Sequence, residues 1–313
     1  MNRLQSADES VPTVPGDASH ELLEPVIDRV GDTVSPENDW DDFQRDPDFV
    51  AASLPLLRAL DGYFGTELRG WENIPEGEPV LFVGNHSGGM MTLDPVSLML
   101  RWIEERGAAA PIYGLTYDLL FAPGIGSLLR RLGCLPASQA NARRALDKGA
   151  SLIVFPGGDY EVFRPWTERN QIQFGGRMGF VELALRAGVR IVPMTIHGAH
   201  ESTVVLTRGR RFARRIGLDR LRVKVFPFIW NFPLGVTPAF IPSIPLPAKR
   251  TVSLAEPIDW RHIDPEDADD PEILQACYDE VTGVMQESLD EMARERPRPY
   301  PLLSRAADWL PRW

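Results

Sequence analysis

The stretch ASLIVFPGGDYEVFR, residues 150–164, decides the fold class of this chain. It opens with a short apolar run, turns at a Pro-Gly-Gly sequence and continues with charged residues. Two more apolar runs of this kind are PVLFVGN, residues 79–85, and VRIVPMTIHG, residues 189–198. Strands that are apolar throughout are typical of a parallel sheet whose two faces are both covered.

Further strands and the helices between them complete the predicted architecture. The remaining predicted strands cover 110–116, 220–228 and 250–257. Amphipathic patterns predict helices over 95–106, 118–131, 139–148, 176–187 and 270–295, and one over 46–68 that breaks near Pro55. We therefore expect an α/β fold, a single domain with a mainly parallel central sheet flanked by helices.

Composition sets the domain bounds and excludes some functions. The predicted domain spans 46–295, between a disordered acidic tail at 1–45 and a Trp-containing tail at 296–313. The 313 residues carry a net charge of −11, which argues against nucleic-acid binding because phosphate contacts need a basic surface. Residues 226–247 are apolar, but their six prolines forbid a continuous membrane-spanning helix.

His86 is the strongest candidate for a catalytic base. It follows a predicted strand directly and lies in a Gly-rich turn, GNHSGG, where the glycines let a substrate approach the backbone. An imidazole at this place can remove a hydroxyl proton near neutral pH. The alternative is a turn histidine that hydrogen-bonds to the backbone.

Asp94 is the nearest acid after His86, eight positions further along the chain. A carboxylate beside a catalytic histidine fixes its tautomer and stabilises the imidazolium. Asp94 followed by Pro95 also fits the N-cap and first residue of a helix. Capping alone, and capping combined with catalysis, are both open from the sequence.

The second Gly-rich turn, at residues 155–161, can offer backbone N–H groups to a phosphate or an oxyanion. Arg164 can pair with a phosphate, or with Glu161 at helical spacing. Arg177 is a further basic candidate. From both turns we predict substrate contacts by Asn85, Ser87, Gly88, Gly89, Pro156, Gly157, Gly158, Glu161, Arg164 and Arg177.

Other motifs are weaker or missing. HGAHES, residues 197–202, follows a third strand, but two histidines without further ligands make a weak metal site, and we interpret it as a turn. No metal is predicted. The chain has no GxSxG elbow, P-loop or dinucleotide fingerprint. Cys134 and Cys277 show no pairing pattern and are expected to be reduced thiols of a cytoplasmic protein.

Four blocks together resemble the glycerolipid acyltransferase superfamily, the lysophospholipid acyltransferases. The chain looks closest to the monoacylglycerol acyltransferase-like branch. The blocks are VGNHSGGMMTLDP (83–95), NARRALDKGASLIVFPGGDYEVFRP (141–165), GGRMGFVELALRAGVRIVPMTIHGAHES (175–202) and PLPAKRTVSLAEPI (245–258).

The resemblance implies roles for single residues. His86 corresponds to the histidine of the family's NHxxxxD motif and Asp94 to its acid, although seven residues separate them here instead of four. The FPGG turn corresponds to the FPEG block, which contributes to acceptor binding. A glycine of the FPGG turn stands where that block has glutamate, which weakens the case for a phosphorylated acceptor and makes a neutral or unusual one more plausible.

The resemblance further implies an enzyme that moves a fatty acyl group from acyl-CoA, or acyl carrier protein, to a hydroxyl of a glycerolipid-type acceptor. It implies no cofactor, with acyl-CoA as co-substrate. Because both substrates carry lipid chains, we expect a cytoplasmic protein that is peripheral at a membrane surface. Residues 226–247, or the tail with Trp309 and Trp313, could dock there; the former could instead be a buried connection or line an acyl-chain groove.

Two other functions are open from the sequence. A non-catalytic lipid-binding protein of the same fold would fit the longer spacing between His86 and Asp94. An acyl-thioester hydrolase would use His86 to activate water instead of a lipid hydroxyl.

Overall fold

The structure, a computed structural model, describes residues 45–86, 93–121, 125–215 and 225–296. The helices within these residues are α1 Pro47–Ala52, α2 Leu54–Phe64, α3 Val96–Arg106, α4 Ile125–Leu132, α5 Gln139–Asp147, α6 Gly158–Val162, α7 Gly179–Ala187, α8 Ala199–Ser202, α9 Arg210–Arg215 and α10 Pro271–Glu295. The strands are β1 Glu67–Arg69, β2 Val80–Gly84, β3 Ile112–Thr116, β4 Cys134–Pro136, β5 Ser151–Val154, β6 Arg190–His197, β7 Val204–Thr207, β8 Phe228–Asn231, β9 Gly235–Pro238 and β10 Thr251–Leu254. The predicted tails fall outside the described residues, apart from Arg45 and Arg296.

Seven strands form the central sheet, in the order β1-β10-β6-β2-β5-β3-β4. From β6 to β4 every neighbouring pair is parallel. β10 is antiparallel to β6, and β1 is parallel to β10. The predicted α/β fold with a mainly parallel central sheet is therefore confirmed, and the two strands at one edge run opposite to the rest.

Strand β2 shows why its residues are all apolar. Successive side chains of a strand point to opposite faces of the sheet. Leu81 and Val83 pack into a core with α5, α7 and α10, while Val80 and Phe82 pack into a second core with α3. All four side chains are fully buried, so a polar residue at any of these positions would lose its hydration.

The predicted helices are present, with local differences. The helix predicted over 46–68 is two helices, α1 and α2, which meet at Ser53. The prediction is wrong over 65–68, because α2 ends at Phe64 with Gly65 in a left-handed conformation and residues 67–68 belong to β1. Pro55 lies in the first turn of α2, where its missing N–H costs no intrahelical hydrogen bond. The helix predicted over 118–131 is a 3₁₀ turn, Asp118–Phe121, followed by α4.

Of the strand predicted over 220–228, the structure describes only 225–228, and the prediction is wrong over 225–227. Residues 225–227 lie outside any strand, and β8 begins only at Phe228. β8 instead pairs antiparallel with β7 and β9 in a separate three-stranded sheet. Among the described helices, none is both long and apolar enough to cross a bilayer.

Candidate active site

Three neighbouring parallel strands place three polar segments at the edge of the central sheet formed by the carboxyl ends of these strands. β6, β2 and β5 lie side by side, and their carboxyl ends meet at this edge. His86 follows β2, Glu161 lies on α6 after β5, and His200 lies on α8 after β6. Ligands of open α/β sheets gather beyond this edge, so these segments form the candidate site.

The centre of the site is a contact between His86 and Asp94. The Nδ1 atom of His86 lies 2.6 Å from Oδ2 of Asp94. The Asp94 side chain is fully buried, whereas that of His86 keeps 16% of its surface exposed. Helix α3 begins at Val96 with Pro95 in the cap position. The prediction of Asp94 as N-cap and Pro95 as first helical residue is therefore wrong by one position, and the geometry favours a carboxylate that orients His86.

Two further neighbours hold the His86 ring and backbone in place. The ring of Phe155 stacks on the imidazole with centroids 4.4 Å apart and planes 19° apart. Asn85 is fully buried; its amide donates to the carbonyl of Ile196 at 2.9 Å, and its Oδ1 accepts from the Ile196 N–H at 2.6 Å. Asn85 thus extends the pairing of β2 and β6 up to His86. A substrate contact by Asn85 stays a prediction.

The buried ion pair of Glu161 and Arg164 holds the backbone N–H of His86. Oε2 of Glu161 accepts from the His86 N–H at 2.7 Å, and Oε1 accepts from Arg164 at 2.8 Å. Both side chains of the pair are fully buried. Burial raises the pKa of the Glu161 carboxyl, and the positive charge of Arg164 opposes that rise. The arginine also donates to the carbonyl of Arg169 at 3.2 Å.

The pairing of Arg164 with Glu161 at helical spacing is thus the arrangement found. A guanidinium with no exposed surface cannot reach a phosphate unless this network opens. In the arrangement found, Arg164 contacts Glu161, and Glu161 in turn accepts from the His86 N–H. A substrate contact by Arg164 stays a prediction that would need such an opening.

The Pro-Gly-Gly turn is closed by its own hydrogen bonds and by Arg177. The Gly158 N–H donates to the carbonyl of Phe155 at 3.1 Å, so this group already has an acceptor within the turn. Arg177 donates to the carbonyls of Gly157 at 2.8 Å and Pro156 at 3.3 Å. The same guanidinium pairs with Asp159 at 2.8 Å and is half exposed, so it remains accessible to a ligand.

His200 is a residue of this edge whose function the sequence analysis did not predict. It is 4% exposed, and neither ring nitrogen has a hydrogen-bond partner among the described residues. Burial, and after it the positive charge of Arg164, keep the pKa of His200 well below its ordinary value. The available signal was its place after a strand, in the same setting as His86.

Ser87, Gly88 and Gly89 complete the predicted substrate contacts, and they lie outside the described residues. Their contacts stay predictions. The described residues on either side of this segment are His86 and Leu93.

Comparisons with known proteins match this part of the chain. A family model described as Acyltransferase matches residues 65–197, which run from just before β1 to the end of β6 and include His86, Asp94 and Glu161. An uncharacterized protein of Mycobacterium tuberculosis is 34% identical over 252 residues, which cover 80% of this chain and 68% of the relative. This chain belongs to the acyltransferase family.

Two other matches to this acyltransferase carry functional names. The "DGAT1/2-independent enzyme synthesizing storage lipids" of Gallus gallus is 30% identical over 190 residues, covering 59% of this chain and 55% of the relative. The crystal structure of the 1-acyl-sn-glycerophosphate (LPA) acyltransferase PlsC from Thermotoga maritima aligns with 87% of this acyltransferase and 89% of that chain, at 16% identity and a TM-score of 0.49.

Proposed function

We propose that this acyltransferase moves a fatty acyl group from acyl-CoA, or acyl carrier protein, to the hydroxyl of a neutral glycerolipid-type acceptor, with His86 as the general base. The contact between His86 Nδ1 and Asp94 Oδ2 at 2.6 Å carries this proposal. It engages one ring nitrogen and leaves Nε2 to accept the proton of a hydroxyl.

The chemical steps follow from that assignment. Nε2 of His86 takes the hydroxyl proton while the acceptor oxygen attacks the thioester carbonyl carbon and the new C–O bond forms. Asp94 stabilises the imidazolium that results. The tetrahedral intermediate collapses with cleavage of the C–S bond, and the departing thiolate of CoA takes the proton back from His86. The products are an ester and free CoA.

A neutral acceptor is supported by the charges around the site. Gly157 and Gly158 carry no side chain, and Arg164 is buried against Glu161. Arg177 is exposed at the turn, but its guanidinium is paired with Asp159, so its charge is already balanced. The name of the Gallus gallus relative, an enzyme synthesizing storage lipids, points the same way. Because both substrates carry lipid chains, we expect a cytoplasmic enzyme that acts peripherally at a membrane surface.

The test uses purified protein with radiolabelled acyl-CoA and a panel of acceptors, namely monoacylglycerol, lysophospholipid and a lipid glycoside, with products separated by thin-layer chromatography. We expect a labelled ester from the wild type and a rate lower by about 100-fold or more in His86→Ala, the effect of losing a general base. His262→Ala is the matched control, since His262 is exposed after β10.

Three outcomes would contradict the proposal. An undiminished rate in His86→Ala would remove His86 from the mechanism. Release of free CoA without any acylated lipid would identify an acyl-thioester hydrolase. Tight binding of acyl-CoA or lipid, with no turnover from either acyl-CoA or acyl carrier protein, would identify a lipid-binding protein.

A further inference from the structure

The three-stranded sheet of β7, β8 and β9 has one face packed on the candidate site. Val205 and Ile229, on its inner face, are buried with Val162 and Phe163 at the end of α6. That helix carries Glu161, and β7 follows directly after α8, which carries His200. The small sheet is therefore attached to two of the three segments that form the site.

The opposite face of this sheet is apolar and exposed to solvent. Trp230 and Val236 are direct cross-strand partners, and they are 43% and 63% exposed. An antiparallel sheet with one face in the core ordinarily carries polar residues on the other. We define the docking face by the exposed apolar side chains of this region, namely Leu206, Phe212, Trp230, Phe232, Leu234, Val236, Phe240 and Ile244.

Aromatic contacts join side chains of the docking face into two groups. Phe226 lies between Phe212 and Phe240, with ring centroids at 5.0 Å and 5.4 Å. Trp230 and Phe232 are in contact at 6.4 Å. Exposed apolar side chains that cluster on one part of a surface mark sites that bind another molecule or a membrane.

Helix α9 adds positive charge at the border of the docking face. Phe212 of this helix packs on Phe226, and the helix also carries four exposed arginines, Arg210, Arg211, Arg214 and Arg215. None of the four forms an ion pair with another residue that the structure describes, and Arg210 lies over the ring of Tyr160, 5.0 Å from its centroid. In a chain whose net charge is −11, this cluster opposes the overall charge and complements an anionic surface.

We infer that the docking face binds the surface of an anionic lipid bilayer, with Trp230 and its apolar neighbours at the headgroup boundary and the arginines of α9 on the headgroup phosphates. A bilayer fits better than a second copy of this chain, because a second copy would present the same arginines to one another. The inference deepens the proposed function, since the bilayer would be the source of the lipid acceptor.

The test is flotation with vesicles of phosphatidylcholine, alone or mixed with phosphatidylglycerol. We expect the wild type to float with the mixed vesicles, and the double variant Trp230→Ser/Leu234→Ser to bind them at least about tenfold more weakly, because exposed apolar area is lost. Leu56→Ser is the matched control, since Leu56 and Leu234 are both 63% exposed and Leu56 lies on α2. Its binding should equal that of the wild type.

A second pair of variants tests the charge. Arg211→Gln/Arg214→Gln should lose the preference for phosphatidylglycerol, whereas Arg144→Gln, at an exposed position on α5, should keep it. Equal flotation of the docking-face variants and the wild type would overturn the inference. So would a wild type that does not float, or one that self-associates through these residues without binding vesicles.

Flotation requires no turnover, so it is independent of the catalytic proposal. His86→Ala should float like the wild type even though it should be inactive. The Trp230→Ser/Leu234→Ser variant should in turn keep its rate with a short-chain acyl-CoA and a water-soluble acceptor. Docking and catalysis can therefore fail separately.

Discussion

The Nδ1 atom of His86 lies 2.6 Å from Oδ2 of Asp94, although seven residues separate the two in the chain. Both ends of that segment are fixed by well-packed elements. Asn85 bonds to Ile196 of β6 on one side, and α3 begins at Val96 on the other. The contact between the two side chains therefore depends on the positions of β2 and α3 in the fold, and the number of residues between them can vary.

Replacing Asp94 tests this contact directly. Asp94→Asn keeps the shape of the side chain but removes the charge that stabilises the imidazolium and can favour the wrong tautomer. We expect kcat to fall by about 100-fold or more, with a smaller change in KM. Steady-state kinetics measure the effect, with Asp147→Asn on the exposed face of α5 as the control. A kcat within a few-fold of the wild type would show that Asp94 is not the orienting acid.

The buried pair of Glu161 and Arg164 should be essential for stability. Arg164→Met leaves a buried carboxylate without its cation, which costs about 3–5 kcal/mol in the free energy of unfolding. Urea unfolding measures this change. In the control, Arg101→Met removes an exposed i,i+4 pair with Glu105, for which we expect a change of about 0.5 kcal/mol or less. Similar losses in the two variants would contradict the role of the buried pair.

A methyl group at Gly84 should disturb the ring that supports His86. A Cβ atom there would lie 2.6 Å from Cε1 of Phe155 and 2.7 Å from Cε of Met194. The methionine can move, but the Phe155 ring is stacked on the imidazole. We expect Gly84→Ala to cost about 1–3 kcal/mol of stability and to lower kcat as well.

Thermal unfolding and steady-state kinetics of Gly84→Ala should be compared with those of Gly283→Ala. Gly283 lies in α10, and a Cβ atom there meets nothing within 4 Å. This control should be at least as stable as the wild type, because alanine is favoured in a helix interior, and equally active. Full activity of Gly84→Ala would show that the position of Phe155 does not matter for catalysis.

Acid should destabilise the protein through His197. Burial and the positive charges of Arg296 and Arg169 lower the pKa of His197 from 6.5 to about 4. Between these two values the unfolded chain binds a proton that the folded protein does not, so stability is complete above pH 6.5 and is lost as the pH falls towards about 4. The total effect is about 3 kcal/mol.

Urea unfolding over that pH range should show a smaller loss in His197→Asn than in the wild type, which isolates this residue from other titrating groups. Glu201, whose pKa burial raises to about 7, has the opposite sign: it lowers stability as the pH rises from 4.5 to 7. His262→Asn, at an exposed position, should follow the wild type. An identical pH profile for His197→Asn and the wild type would refute the assignment.

Local patterns were sufficient to predict the strands and helices around the site. The runs that became β2, β5 and β6 are mostly apolar because both faces of the sheet are covered, and a short, mostly apolar run bounded by turn residues is typical of such a strand. The prediction failed over 225–227, where an apolar pattern near prolines did not locate the start of β8 at Phe228. Short edge strands such as β1 and β4, with three residues each, left no pattern to detect.

By itself, the sequence determined the fold class, the histidine and glycine-rich turns at the ends of the strands, and the absence of a continuous apolar helix in 226–247, because each depends on local composition and spacing. Only the tertiary structure decided which of these residues meet. It placed Asp94 on His86, buried Arg164 against Glu161 and brought His200 to the same edge, because strand order and helix packing set distances between residues far apart in the chain. It also decided that the apolar side chains of β8 and β9 face solvent, since the hydrophobic effect favours burial but packing determines which face is buried.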